Sequence, residues 1–213
     1  GPPGTDVVKP LTKDHLEKVK KVNGVKIAAG RLLRNGKLEH DDHVGFGMAA
    51  TMSEGDGRKL IESALNLEAE QGRLLRDGDS KKVLLGNNFG EENAGFGKQI
   101  IVGSKVLIQE KQFQVVGILK KVGSFITDNL VLVEEDDLRE ILDIDDEDYD
   151  IIVMQVNQNA DIKVVQENVE KLMRQERDVK KGEEDFSVQT PQAILGQVNS
   201  TLFAVQLFVY IIA

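Results

Sequence analysis

Apolar residues recur along the chain in short runs with helical or strand spacing, bounded by glycine, asparagine and aspartate. Leu16, Val19 and Val22 fall at helical spacing behind Thr12, a good N-cap, with Leu11 and Leu16 at the two positions of a hydrophobic staple. Asn23-Gly24 ends that helix with residues tolerant of left-handed geometry. Strands are expected at Val25–Leu33 and Val44–Met52, joined by a polar turn over Arg34–Asp42, and a short helix over Gly57–Leu65. The middle is β-rich: Lys82–Leu85, Gln99–Val102, Val106–Ile108, Gln112–Leu119 and Leu130–Val133 are apolar or alternating, with Glu110-Lys111 as a hairpin tip. Acids in the first turn and Leu138, Ile141 and Leu142 on one face predict a helix over Glu134–Leu142.

After the acidic stretch Asp143–Asp150 the pattern becomes βαβ. Ile151–Val156 is a continuous apolar strand, Ile162, Val165, Val169, Leu172 and Met173 form the inner face of a long helix, and Phe186–Gln189 is a second strand. Thr190-Pro191 places an N-cap and a proline at N1 ahead of a last helix. The fold class read from this order is α+β in two lobes. A base lobe is built from residues 5–65 and 150–200, at both ends of the chain, and a β-rich insert spans 66–149.

Leu202–Ala213 reads LFAVQLFVYIIA, apolar on every face apart from Gln206. As a helix it covers about 18 Å, short of the roughly 30 Å hydrocarbon core of a bilayer. It is expected to be the start of a truncated transmembrane helix, with a buried C-terminal helix as the alternative.

The net charge of −9 opposes docking on nucleic acid, and the short lysine pairs Lys20-Lys21 and Lys81-Lys82 are not interleaved with aromatics. The absence of cysteine excludes disulfides, thiolate catalysis and cysteine metal sites, and three histidines leave little for imidazole chemistry. Phe96-Gly97-Lys98-Gln99 has Glu92 and Gln99 where a phosphate loop needs glycine and Ser or Thr, so it is a loop before a strand and not an ATPase motif. His40-Asp41-Asp42-His43 offers metal-ligand types, but adjacent turn residues point apart, and a solvated turn is expected. Asp143–Asp150 fails as an EF-hand loop, having Asp148 and Met154 where glycine and glutamate belong, and reads as a charged connector. Neither G-x-S-x-G nor HExxH occurs. No catalytic, cofactor-binding or metal residue is therefore assigned, and the chain is read as non-catalytic.

Over Leu67–Gly123 the residues resemble the extracytoplasmic core domain of MacB/FtsX-like ABC transporter permeases. The carriers are Gly72-Arg73-Leu74-Leu75, then Val83-Leu84-Leu85-Gly86, Gly97-Lys98, and Phe113-Gln114-Val115-Val116-Gly117-Ile118-Leu119. Val22-Asn23-Gly24-Val25 resembles the family's helix-to-strand turn, and Phe186–Thr190 followed by the expected Gln192–Ala213 helix resembles its return into the second transmembrane segment, while Leu33–Met52 matches poorly. The resemblance implies a porter-like base lobe and a Sabre-like insert, held between two transmembrane segments and extracytoplasmic. It implies a dimer of permeases, a cytoplasmic ABC ATPase on another chain, and a periplasmic or extracellular adaptor or substrate. The implied function is mechanotransmission, in which ATP hydrolysis drives export or release of substrate on the outer side of the membrane. A free-standing extracellular binding or adhesion module and a carboxylate hydrolase are the competing readings.

Overall fold

The computed structural model describes residues 9–190, so the expected helix after Pro191 and the Leu202–Ala213 run lie outside the described residues. Those described form two compact units, one of residues 9–21 and 25–157, the other of 22–24 and 158–190. The architecture is mixed α+β with strands dominating.

In the first unit, β1 (Leu11–Thr12) leads into α1 (Lys13–Val19). The Thr12 hydroxyl accepts the His15 amide at 3.3 Å, and the Thr12 amide donates to His15 Nδ1 at 2.9 Å. This is a capping box with histidine in the place usual for glutamate or glutamine. β1 pairs antiparallel with β10 (Asp148–Tyr149), and β2 (Val25–Arg31) pairs antiparallel with β11 (Ile151–Val156).

Seven strands make the main sheet: β3 (Leu33–His40), β4 (His43–Met52), β5 (Ala69–Gly72), β6 (Lys82–Leu85), β7 (Lys105–Ile108), β8 (Lys111–Leu119) and β9 (Leu130–Glu134). Their order is β5-β8-β6-β9-β4-β3-β7, and β7 also pairs with β8, so the path through six of them closes on itself. Closure leaves no open edge along most of β8, whose first half meets β7 and whose last residues meet β5. The interior takes Leu38, Ala49, Val83, Leu85, Val106, Ile108, Phe113, Val115, Val131 and Val133, all essentially buried. Between the strands Phe89, Phe96 and Ile100 enter this core from loops. The outer face of β4, β6, β8 and β9 carries Ala50, Met52, Leu84, Leu119, Leu130 and Leu132, in one cluster with Ile61 of α2 (Gly55–Ala64), Leu67 and Leu75.

A bulge sets the phase of β8. Val83 pairs with Val115 but Leu84 pairs with Gly117, so one extra residue opposes β6. The inner core therefore takes Phe113 and Val115 before the bulge and Ile118 after it, while Leu119 joins the outer cluster.

In the second unit, α5 (Ile162–Glu176) is capped by Asp161, whose carboxylate accepts the Lys163 amide at 2.9 Å. Val165, Val169 and Met173 are buried, whereas Ile162 is exposed. Arg177 is held by Asp185 through two 2.7 Å bonds.

Several expectations need correction. Residues 34–40 are strand, so the expected turn shrinks to Asp41-Asp42, and β5 lies where no strand was expected. Gln99–Val102 is irregular, with Ile100 buried but Ile101 and Val102 exposed. Phe186–Gln189 is not in a ladder, and Ile151–Val156 runs antiparallel to β2, so the expected βαβ unit does not form among the described residues. The boundary at 65/66 does not follow the sheet, which joins β3 and β4 to β7 and β9.

Candidate functional site

The motifs singled out by residue type serve the fold. Asp41 and Asp42, with φ of 48° and 61°, make the two-residue turn between β3 and β4. His40 Nδ1 lies 2.9 Å from the Lys105 carbonyl and His43 Nδ1 2.6 Å from that of Asp41, while Asp41 pairs with Lys98 at 3.0 Å. That lysine holds the Asp41 carboxyl below the ordinary range. No group of His, Asp and Glu among the described residues could hold a metal ion. In the Phe96–Gln99 loop, Phe96 is buried in the core and Gln99 donates to the Gly90 carbonyl at 2.8 Å. The acidic stretch is tied down by Arg139 of α4 (Glu135–Leu142), whose guanidinium donates to the carbonyls of Asp145 and Asp148 and stacks 5.0 Å from the Tyr149 ring.

Buried charge joins the elements. Arg58 of α2 bridges Asp77 at 2.8 Å and Glu134 at 2.7 Å. Burial works against the Arg58 charge, but two carboxylates outweigh it and its pKa rises. Glu134 has one guanidinium partner, and burial pushes its carboxyl up. Arg73 grips Asp79 with bonds of 2.5 and 2.9 Å, and the Arg76 amide adds a third at 2.8 Å. Together they lower Asp79 to about 2, the Arg73 bond being the largest cause. Arg31 is the odd member. Its Nε donates to the Thr51 carbonyl at 2.9 Å, its Nη2 has no partner, and burial lowers its pKa to about 10.

What remains unexplained by folding is apolar surface. Along β4 the inward positions are Gly45 and Gly47, where a Cβ would lie 2.4 Å from Phe96 and 2.6 Å from Phe89. The rings occupy the space of the missing side chains, and the apolar residues of the same stretch, Val44 and Phe46, point outward. Phe46 is 75% exposed, and in the next row Val44 faces Glu39, which faces exposed Leu107. A second site is the segment Val122–Asp128, which contains the short α3 (Phe125–Asp128). Buried Asp128 accepts the Val122 and Gly123 amides at 3.0 and 2.9 Å, and Ser124 caps the Thr127 amide. This fixed loop presents Val122, Phe125 and Ile126, with Phe125 86% exposed. Sequence reading missed both surfaces. The arrangement suits contact with another surface better than covalent chemistry.

No helix among the described residues is long and apolar enough to cross a membrane. A family profile described as the MacB-like periplasmic core domain matches residues 2–172. The uncharacterized ABC transporter permease MJ1507 of Methanocaldococcus jannaschii is 28% identical over 199 residues, covering 93% of this chain and 48% of that protein. The chain thus spans about half the length of that curated relative. The periplasmic region of MacB from Actinobacillus actinomycetemcomitans is similar in fold, with a TM-score of 0.66 at 13% identity over 92% of this chain and 90% of the other. The extracellular domain of the noncanonic ABC-type transporter YknZ from Gram-positive bacteria has a TM-score of 0.65 at 18% identity, covering 85% and 90%. Matched over most of its length by that profile, the chain belongs to the MacB-like periplasmic core domain family of ABC transporter permeases.

Proposed function

We propose that the chain is the extracytoplasmic domain of a membrane-embedded permease and acts there as a non-catalytic lever. A separate cytoplasmic ATPase supplies the energy, and the domain carries the resulting motion to the outer side, for export or release of substrate. The observation that carries this reading is the family match over residues 2–172. The closed sheet supports it, because a barrel packed with aliphatic and aromatic side chains moves as one body. In this reading a second permease copy completes a dimer, and an adaptor or the substrate meets the exposed Phe46 and Phe125 surfaces. In this reading the Sabre-like lobe is 66–149 together with the strands of 33–52 that pair with it.

Single cysteines test the placement, since the 213 residues contain none. Ser63→Cys and Ser187→Cys, both at exposed positions, are introduced into the full permease. A membrane-impermeant maleimide is expected to label both in intact cells. Labelling seen only after lysis would refute the extracytoplasmic placement.

A further inference from the structure

We infer that the edge of β2 left without a strand partner among the described residues is a docking groove for an extended polypeptide segment of a partner protein. A groove of about 470 Å³ is lined by Lys26, Ile27, Ala28, Ala29 and Gly30 of that strand. Successive strand residues point to opposite faces, so a groove touching five in a row runs along the backbone edge. The other edge of β2 is taken by β11, and the two form a sheet of their own. Leu16 and Lys20 of α1 and its cap, Ser53, Glu54, Asp56 and Gly57 at the start of α2, Glu135 and Tyr149 complete its walls.

Small residues let α2 and Tyr149 pack close to the strand. Ala28 and Ala29 are 6% and 5% exposed, and Gly30 has the Tyr149 ring where a Cβ would sit. A backbone edge enclosed by such walls is costly to leave unpaired, and a second extended chain satisfies it by adding a strand. Ser53 Oγ already donates to the Gly30 carbonyl at 3.1 Å and marks one end.

Charge along the groove sets the occupant. Lys26 lies near the start of β2, whereas Glu54 and Asp56 follow Ser53, which bonds Gly30 near its end, and Glu135 adds a third carboxylate to the lining. A segment added antiparallel, the better-bonded arrangement, therefore carries a cationic residue near its N-terminal end and a carboxylate near its C-terminal end. The occupant is an extended segment of that polarity on another protein.

The test is amide NMR on the 213-residue chain, with the acetylated, amidated hexapeptide Lys-Val-Thr-Val-Thr-Asp as probe. Shifts are expected at the amides of residues 26–30. Methylating the two central backbone nitrogens is expected to weaken binding about tenfold by removing ladder hydrogen bonds. The charge-reversed peptide Asp-Val-Thr-Val-Thr-Lys is expected to bind about threefold more weakly, as exposed ion pairs allow, and Lys26→Glu, at an exposed position, is expected to erase that preference. Shifts elsewhere, no shifts, or equal binding of the methylated peptide would overturn the inference. So would concentration-dependent broadening at residues 26–30 without peptide, which would make a second copy of this chain the occupant.

Discussion

Gly117 sits where two motif segments cross, and replacing it tests the packing directly. A Cβ there would lie 2.2 Å from the Arg73 carbonyl oxygen and 3.0 Å from the Leu84 side chain. Its φ is outside the left-handed region, so the penalty in Gly117→Ala is steric rather than conformational. The obstacle cannot withdraw easily. The Arg73 amide donates to the Val116 carbonyl at 3.1 Å, its guanidinium is held by Asp79, and Leu75 is buried in the outer cluster. Overpacking costs ~1–3 kcal/mol, and separating β5 from β8 forfeits a backbone bond worth ~1 kcal/mol, so the expected loss is about 2–4 kcal/mol. Urea unfolding measures it as a fall in midpoint at unchanged slope. Gly78→Ala is the control, with φ of 80° and no atom within 4 Å, and is expected to cost roughly 1 kcal/mol. A Gly117→Ala loss no greater than that of Gly78→Ala would refute the close approach of β5 and β8.

Three further outcomes are expected. Asp79 has a folded pKa of about 2 against an ordinary 3.8, so its contribution is full above pH 4 and is lost as pH falls through 2. It amounts to about 1–2 kcal/mol after solvent screening; Asp79→Asn should lower the thermal midpoint at pH 5 and flatten its dependence between pH 4 and 2, and an unchanged acid limb would count against the Arg73–Asp79 clamp. Arg31→Met removes a buried guanidinium with an unpaired Nη2, so stability should hold or rise; a loss beyond about 2 kcal/mol by urea titration would refute the reading of this charge as a net cost. Phe46→Ser and Phe125→Ser should leave the isolated chain within ~0.5 kcal/mol of the parent while impairing export by the full transporter, and unimpaired export would remove these surfaces from the function.

The parts of the fold legible in the sequence are those where side chain and backbone point the same way. The Thr12 cap, the β6 and β9 runs and Val165, Val169 and Met173 of α5 pack as their spacing requires. β3 was hidden because it is polar: Leu38 alone of Arg34–His40 enters the inner core, and the strand is held by neighbours on both sides. Gln99–Val102 looks like a strand, yet Gly103 turns the chain at φ of 91° and Ile101 and Val102 stay in solvent. Phe186–Gln189 finds no ladder, and the Val188 carbonyl instead accepts the Gln166 side chain at 2.8 Å. The candidate surface was disguised by its own alternation. Val44, Phe46 and Met48 have the spacing of a buried face, but Phe89 and Phe96 arrive from the distant connection after β6 to fill the opposite side. Periodicity shows that one face differs from the other; which of them is covered depends on distant segments.

The lever itself is tested most directly by the distance between two copies of the domain in the working transporter. A spin label at Ser63→Cys in an otherwise cysteine-free permease, reconstituted with its ATPase, reports that distance by dipolar spectroscopy. The expected result is a distribution that moves between the nucleotide-free and the ATP-and-vanadate-trapped states. Superimposable distributions in a preparation that hydrolyses ATP and exports substrate would contradict it.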